Sequence, residues 1–305
     1  MKFYSKEKNM QNKITFIYDY KSNETWSTPL SLLNEFKERG WETEIVPIPN
    51  GDDSALQLWI QQDTSTDIVL FMDWGRFDSK WLDKNLKPNS FWIQESGDDP
   101  QNFERNYPKA NRFHYTITPD KVSAEEYKIC GINADWVPHW ADTMVQFPMN
   151  LEPEYVGVTS RGRGGSEFLD YLTNWAEGAI GNQNGMNADE HTKFLNTGLM
   201  VIQNSRWKEI TRRIFEAMAC GKMVLTDRLD ESTGLSQMFI DGEDIVYYDE
   251  MFDCIEKMNY YNENEEERER IAYNGMAKVI ANHTQIQRVD KLIEKYKLWK
   301  NYQSA

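Results

Sequence analysis

The chain has 305 residues, which is enough for one large domain or two moderate ones. Hydrophobic residues make up 40% of it and aromatic residues 13%, so real hydrophobic cores can form. The net charge of −15 argues against a broad nucleic-acid-binding surface, because phosphate binding needs clustered Lys and Arg, although a local basic cleft stays compatible with it.

The first half of the sequence alternates short apolar runs with amphipathic segments. A strand at 13–19, a helix from Ser27 to Arg39 and a strand at 42–46 form a β-α-β order, which predicts a parallel sheet. A further helix is predicted at 121–129, and further strands at 67–72, 90–94, 113–117 and 134–137. Together these elements predict a Rossmann-like domain over residues 1–150.

A second alternation follows the segment 147–153, which we interpret as the linker between two domains. Strands are predicted at 155–158 and 199–203, with a helix at 166–175 between them, and a second Rossmann-like domain is expected over 151–284. The remaining segment, 285–305, contains a periodic helix.

The cysteines and the N-terminus bear on the cellular compartment. Cys130, Cys220 and Cys254 are scattered without metal-ligand spacing, which is typical of reduced thiols in a cytosolic protein. Residues 1–12 are polar and lack the apolar core of a signal peptide, and no run approaches the length that spans a membrane. We therefore expect a cytoplasmic protein without a transmembrane segment.

The segment 213–227 predicts a short helix, a glycine stop and a buried strand. The helix is apolar almost all round, yet Glu216 lies in its middle. A charge in such a helix is costly unless it has a partner. Glu216 is therefore expected either to bind a ligand or to pair with a cation such as Arg212 or Arg213.

The segment 215–221, Phe-Glu-Ala-Met-Ala-Cys-Gly, resembles the donor-sugar motif of GT-B glycosyltransferases. The resemblance is to the CgeB-like, glycosyl transferase group 1 branch, which is related to the family 4 retaining enzymes. Segment 241–248 resembles the strand that follows the donor helix in these enzymes, and segment 266–275 resembles the next helix. His283-Thr284 with Arg288 resembles the segment where such chains turn back toward their first domain. The resemblance implies an α/β protein with two Rossmann-like domains facing each other across a cleft, and a C-terminal helix that crosses back to the first domain.

The resemblance also implies donor-binding residues. Glu216 matches the carboxylate that binds the ribose hydroxyls, and Arg213 matches an arginine near the diphosphate. Asn204, Lys208 and Thr211 lie in the segment between a strand end and the donor helix, where backbone N–H groups and cations suit a diphosphate. Family 4 enzymes carry a Glu eight residues before the second one, and this chain has Lys208 there.

Two further places are predicted to contact the donor. The glycine-rich segment 157–166 leads into a helix, and Arg161 or Arg163 in it could clasp phosphates together with backbone amides. The pattern does not choose between the two arginines. His139 lies near the predicted hinge and is expected to face the donor.

The candidate catalytic residues lie in the loop after the fourth strand. Glu95, Asp98 and Asp99 could touch the acceptor or act as a base. The alternative is a structural role, because Gly-Asp-Asp-Pro in the same loop is also typical of a turn. Asp73 has the same status, and Asp19, at the end of the first strand, could line the cleft. The four histidines do not form a metal-ligand pattern, and the resemblance implies neither a metal nor another cofactor.

The expected function is transfer of a sugar from a nucleotide-diphosphate sugar, with UDP the family's habitual nucleotide, and with retention of configuration. Inversion by an N-terminal-domain carboxylate and a catalytically inactive nucleotide- or sugar-binding module are the alternatives, and Lys208 favours the latter. A dinucleotide-binding enzyme is disfavoured because segment 18–23 has no glycine. The acceptor stays open among a glycan, a cell-wall or spore-surface component, a protein and modified DNA.

Overall fold

The computed structural model describes residues 12–22, 26–62, 65–72, 89–160, 170, 172–174, 176–182, 186–205 and 207–304. Within this part of the chain, two parallel β-sheets form, one in each half. The two sheets, with helices packed on them, confirm the predicted pair of Rossmann-like domains.

The first sheet has six parallel strands in the order β2-β1-β3-β4-β5-β6. Its strands are β1 Lys13–Tyr18, β2 Glu42–Pro47, β3 Ile68–Met72, β4 Phe91–Glu95, β5 Tyr115–Thr118 and β6 Ala134–Trp136. All residues of β3 and β4 are buried. Strands covered on both faces read as continuous apolar runs, which is why the sequence located β3 well.

Among the residues that the structure describes, four helices connect these strands, namely α1 Thr28–Glu38, α2 Ser54–Gln61, α3 Phe103–Ala110 and α4 Lys121–Ile129. Ser27 begins α1 by accepting a hydrogen bond from the backbone N–H of Leu30, and Asp120 caps α4 in the same way through Ser123. Helices α2 and α3 and a 3-10 turn at Pro49–Gly51 were not predicted from the sequence.

The second sheet has five parallel strands in the order β11-β10-β9-β7-β8. They are β7 Tyr155–Ser160, β8 Ala179–Asn182, β9 Gly198–Gln203, β10 Met223–Asp227 and β11 Val246–Tyr248. The helices with defined bounds in the described part of this half are α5 Ala188–Asn196, α6 Arg212–Ala219, α7 Leu235–Met238, α8 Met251–Glu263 and α9 Glu265–Asn282, with a 3-10 turn at Glu231–Thr233. Most of the predicted helix 166–175 lies outside the described residues.

Helix α6 is buried along most of its length and ends at a glycine. Phe215, Met218 and their apolar neighbours pack in the core of the second half. Gly221 has a φ of +71°, and its N–H bonds to the carbonyl of Met218. Such a left-handed residue lets the chain turn directly into β10.

The last helix, α10 Gln285–Gln303, leaves the second half and packs on the first. Val289, Leu292 and Tyr296 of α10 join the core around α1 and the first sheet. Asp135 of β6 pairs with Lys295 at 2.8 Å and with Lys291 at 3.4 Å. The predicted return of the C-terminal helix is therefore confirmed.

The chain crosses between the two halves at two adjacent points. Ala141 and Thr284 form a parallel bridge, in which the Ala141 N–H bonds to the His283 carbonyl at 3.0 Å. Thr284 also caps α10 in a capping box with Gln287. Backbone contacts at this junction fix how the two sheets meet.

Candidate functional site

The site lies at the carboxyl ends of the strands of the second sheet, where parallel sheets bind ligands. Strand β9 ends at Gln203, and the segment 204–211 then leads into the N-terminus of α6. Residues of the first half, including Trp26 and Trp140, reach the same place.

The segment before α6 is held to the end of β10. Asp227 accepts a hydrogen bond from the Ser205 N–H at 2.7 Å and one from Lys208 Nζ at 3.1 Å. The Asn204 amide donates to the Tyr248 hydroxyl at 3.2 Å. Lys208 has a φ of +57°, yet its side chain is 71% exposed. The predicted donor residues Asn204 and Lys208 therefore sit in a loop with a fixed backbone.

Glu216 is only 6% exposed. Its Oε1 lies 3.2 Å from Nε of Arg212, one turn earlier on α6. Of the two expectations for this carboxylate, pairing with a neighbouring arginine is confirmed. Its binding to a ligand stays a prediction.

The start of α6 gathers buried polar groups that lack hydrogen-bond partners among the described residues. They are Oγ1 of Thr211, Nε and Nη2 of Arg212, and Nε of Arg213. Thr211 is the N-cap residue, but its side chain makes no capping bond. Native proteins leave few buried polar groups unpaired, so such a cluster at a helix N-terminus is suited to an anion.

Both arginines are held inside the protein. Nη1 of Arg213 donates to the Gln203 side chain at 3.2 Å. Burial lowers the pKa of each arginine, while the carboxylate of Glu216 acts in the opposite direction on both. An arginine keeps its charge at physiological pH even after a moderate decrease, so two cations lie beside Glu216.

Two histidines lie near these charges. Burial, together with the cations Arg212 and Arg288, lowers the pKa of His139 to about 3, so its imidazole is neutral at physiological pH. The structure therefore brings the predicted donor residue His139 close to the start of α6. His191 of α5 is also influenced by Glu216 and both arginines of α6, and burial lowers its pKa.

Sequence reasoning named Arg212 only as a possible partner of Glu216 and missed its contacts with the first half, and it missed His191 and Trp26 altogether. The guanidinium of Arg212 lies 4.1 Å from the ring centroid of Trp26 and 5.5 Å from that of Trp140. Trp26 in turn donates to Asp142 at 3.1 Å. No local pattern could have indicated these contacts, because they join residues far apart in sequence.

The three predicted catalytic carboxylates occupy different environments. Glu95 ends β4, is 6% exposed and is close enough for its charge to act on Arg212. Asp98 is exposed, with a φ of +57°. Asp99 is 2% exposed and points into a buried polar network. Of the three, Glu95 is the one with a described electrostatic link to the α6 site.

Asp99 accepts four side-chain hydrogen bonds. The donors are Ser96 at 2.6 Å, Thr118 at 2.9 Å, Asn106 at 3.0 Å and Tyr127 at 3.2 Å. Burial nevertheless raises the pKa of Asp99 to about 6, although these hydrogen bonds act against the increase. Both carboxylate oxygens are thus engaged in holding the loop after β4.

Several predicted residues lie outside the described part of the chain, namely Arg161, Arg163 and Asp73. Within the described part, no group of three or more His, Cys, Asp or Glu side chains could hold a metal ion. No helix among the described residues is both long enough and apolar enough to cross a membrane.

Comparison with solved structures identifies the fold. Sucrose-phosphate synthase from Thermosynechococcus elongatus matches with a TM-score of 0.69 at 10% identity, covering 96% of this chain and all of that one. HepE from Anabaena matches with a TM-score of 0.68 at 14% identity, covering 94% of this chain and all of that one. A glycosyltransferase from Rickettsia africae matches with a TM-score of 0.63 at 11% identity, over 94% of this chain and 98% of that one.

The protein therefore has the GT-B glycosyltransferase fold, as the sequence resemblance implied. Residues 154–294, which include α6 and the segment before it, match the glycosyl transferase-like family model. No curated protein sequence matches the chain significantly. The CgeB-like branch within this class stays a prediction.

Proposed function

We propose that this protein transfers a sugar from a nucleotide-diphosphate sugar to an acceptor hydroxyl. The observation that carries the proposal is the start of α6, where buried N–H groups of Arg212 and Arg213 lack acceptors among the described residues, next to the buried Glu216. A diphosphate would supply the missing anionic oxygens, and ribose hydroxyls would donate to the carboxylate.

UDP is the proposed nucleotide. Structures of HepE, which has the same fold, are described as complexes with UDP and glucose and with UDP-glucose. At 12–14% identity this likeness supports the fold directly and the nucleotide only by analogy. For this reason UDP, GDP and ADP are to be compared for binding.

The described residues suggest a division of roles. Glu216 would bind the ribose, while Arg213, Thr211 and the first N–H groups of α6 would bind the diphosphate and stabilise charge on it as it departs. Asn204 and Lys208 would line the loop beside the donor, and His139 would present a neutral imidazole. Arg161 and Arg163 remain proposed diphosphate ligands.

The reaction breaks the bond between the sugar C1 and the diphosphate oxygen, and forms a bond between C1 and the acceptor oxygen. We propose retention of configuration, in which the departing phosphate takes the proton of the acceptor hydroxyl. If the reaction instead inverts C1, Glu95 is the proposed base, because it is buried at the end of β4 and acts electrostatically on Arg212. The anomeric configuration of the product, measured by NMR, decides between the two.

An inactive nucleotide-binding module is the second candidate. Lys208 stands where family 4 enzymes carry a carboxylate, and it pairs with Asp227. This candidate predicts nucleotide binding without sugar transfer or sugar-nucleotide hydrolysis.

The first experiment is calorimetric titration of the protein with UDP, GDP and ADP. We expect one of them to bind with micromolar affinity. Glu216→Ala and Arg213→Ala should each weaken it about 10- to 100-fold, because each removes a charged hydrogen-bond partner. Arg228→Ala is the matched control, since Arg228 pairs with Asp241 and Asp249 on the same half. Absence of binding by all three nucleotides would contradict the proposal.

A further inference from the structure

Arg212 connects the two halves of the protein through its side chain. It begins α6 in the second half, but Nη1 donates to the Thr28 hydroxyl at the start of α1. Its guanidinium also lies over the rings of Trp26 and Trp140, at 4.1 and 5.5 Å from their centroids. The charges of Asp142 and Glu95 in the first half stabilise the cation. All of these partners belong to the first half.

The same side chain holds the carboxylate that we propose as the ribose ligand. Arg212 Nε lies 3.2 Å from Glu216 Oε1. Both side chains are largely buried, at 15% and 7% exposure, so solvent screens this pair weakly. The position of Glu216 is thus tied, through one arginine, to the first half of the protein.

Two nitrogens of the Arg212 guanidinium donate no hydrogen bond to the described residues. Its Nε and Nη2 have no hydrogen-bond acceptor among the described residues, and the pair with Glu216 lacks hydrogen-bond geometry. A buried donor without an acceptor is costly, so an oxygen ligand that reached it would be bound favourably.

We propose that Arg212 is a positioning residue that holds the cleft closed by tying Glu216 to the first half, and that a nucleotide diphosphate tightens this tie by supplying oxygens to Nε and Nη2. The first part depends on the described contacts alone, whereas the second rests on the proposed function. If the nucleotide shifts the equilibrium towards the closed cleft, it must bind the closed form more tightly than the open form, and by linkage contacts that favour the closed form raise its affinity. Contacts made by the first half to Arg212 therefore raise nucleotide affinity.

The first part is tested without any ligand by small-angle X-ray scattering. We expect Arg212→Gln to increase the radius of gyration, because it removes the cation that lies over both indoles. Arg228→Gln is the matched control. Arg228 has two carboxylate partners and a tyrosine ring at 5.2 Å, all within the second half, so the radius should not change. An unchanged radius in Arg212→Gln would overturn the proposal.

Trp26→Leu provides a second variant that leaves α6 intact, in case Arg212→Gln does not fold. It removes the nearer indole from the first half, so it should also open the cleft. It should weaken UDP binding about threefold or more, which is the scale of one cation–π contact. Wild-type affinity together with a wild-type radius in this variant would contradict the inference.

The conservative variant Arg212→Lys separates positioning from simple structural support. Lysine keeps the charge, so the closed radius should be partly restored in the free protein. Lysine lacks the planar fork, so UDP should decrease the radius less than it does in wild type. If wild-type protein binds none of the nucleotides but Arg212→Gln still opens, the proposed function and the diphosphate part fail, while the tie between the halves stands.

Discussion

Three buried arginines lie where the halves of this protein meet, and the hydrogen bonding of Arg288 differs from that of Arg212 and Arg213. Arg288 of α10 is 7% exposed and donates to three backbone carbonyls, those of Pro138 and His139 at 2.9 Å and that of Asn282 at 3.1 Å. Arg212 and Arg213 of α6 are also buried, but three of their N–H-bearing nitrogens have no acceptor in the described part of the chain.

The difference separates Arg288, which has a structural role, from Arg212 and Arg213, which we propose interact with a ligand. Arg288 uses each of its nitrogens within the protein and fixes the crossing at Ala141 and Thr284. Nε and Nη2 of Arg212 and Nε of Arg213 can still donate hydrogen bonds, and an oxygen atom of a ligand could accept them. Unpaired buried donors are uncommon in native proteins, and their clustering beside a helix N-terminus supports the proposed donor site.

The largest effect on stability is expected at Arg288. Arg288→Met leaves three carbonyls without a donor, which should lower the free energy of unfolding by about 3 kcal/mol or more. Arg213→Met should cost about 1 kcal/mol, because Arg213 makes one described hydrogen bond, to Gln203. Urea denaturation measures both values. If both variants lose the same free energy of unfolding, the distinction between Arg288 and the α6 arginines does not hold.

The nucleotide affinities of the same two variants should rank in the opposite order. Arg213→Met is expected to weaken UDP binding about 10- to 100-fold, whereas Arg288→Met should retain most of it at temperatures where it is folded. Calorimetry on folded samples, checked by circular dichroism, measures this. A larger loss of affinity in Arg288→Met than in Arg213→Met would contradict the comparison.

Much of the fold could be predicted from the sequence, because it depends on local patterns. The strands of the first sheet are short apolar runs, and α1 and α4 begin at residues that cap helices. Helix α5 also carries a capping box, Asn187 with Glu190, and this signal could have located it. Helix α3 contains Pro108 and has little apolar character to indicate it.

The candidate site could be predicted only in part. Glu216 was detectable because one carboxylate interrupts a buried apolar helix. The contacts of Arg212 with the first half were not, because its partners Trp26 and Trp140 are 186 and 72 residues away in sequence. Asp99 and Glu95 look alike in the sequence, and only tertiary packing gives one of them four donors.

An intermediate effect is expected at Asp99, and it depends on pH. The pKa of Asp99 is raised from 3.8 to about 6, so the folded state holds this proton more tightly than the unfolded state. The resulting stabilisation is present below about pH 4 and is lost as the pH rises to about 6. Two pKa units correspond to about 3 kcal/mol.

Asp99→Asn removes this titration. The free energy of unfolding of the variant, relative to wild type, should therefore rise by about 3 kcal/mol between pH 4 and pH 7. Urea denaturation at a series of pH values measures the difference. Parallel pH profiles would show that Asp99 does not titrate in this way. If Asp99 were the catalytic base, the variant would in addition lose sugar transfer, whereas a role in holding the loop predicts that transfer is retained.

The smallest effect on stability is expected at Lys208. Its ammonium pairs with Asp227 at 3.1 Å, but the side chain is 71% exposed, and exposed pairs contribute at most about 1 kcal/mol. Lys208→Ala should therefore change the free energy of unfolding by less than about 1 kcal/mol, since Asp227 still accepts from the Ser205 N–H. Lys208→Glu should cost more, because it places a second carboxylate beside Asp227. If Lys208 contacts the sugar of the donor, Lys208→Ala will raise KM for the sugar nucleotide while leaving the Kd of UDP unchanged. An unchanged KM would instead assign Lys208 to the loop alone, as one more charge that is satisfied within the protein.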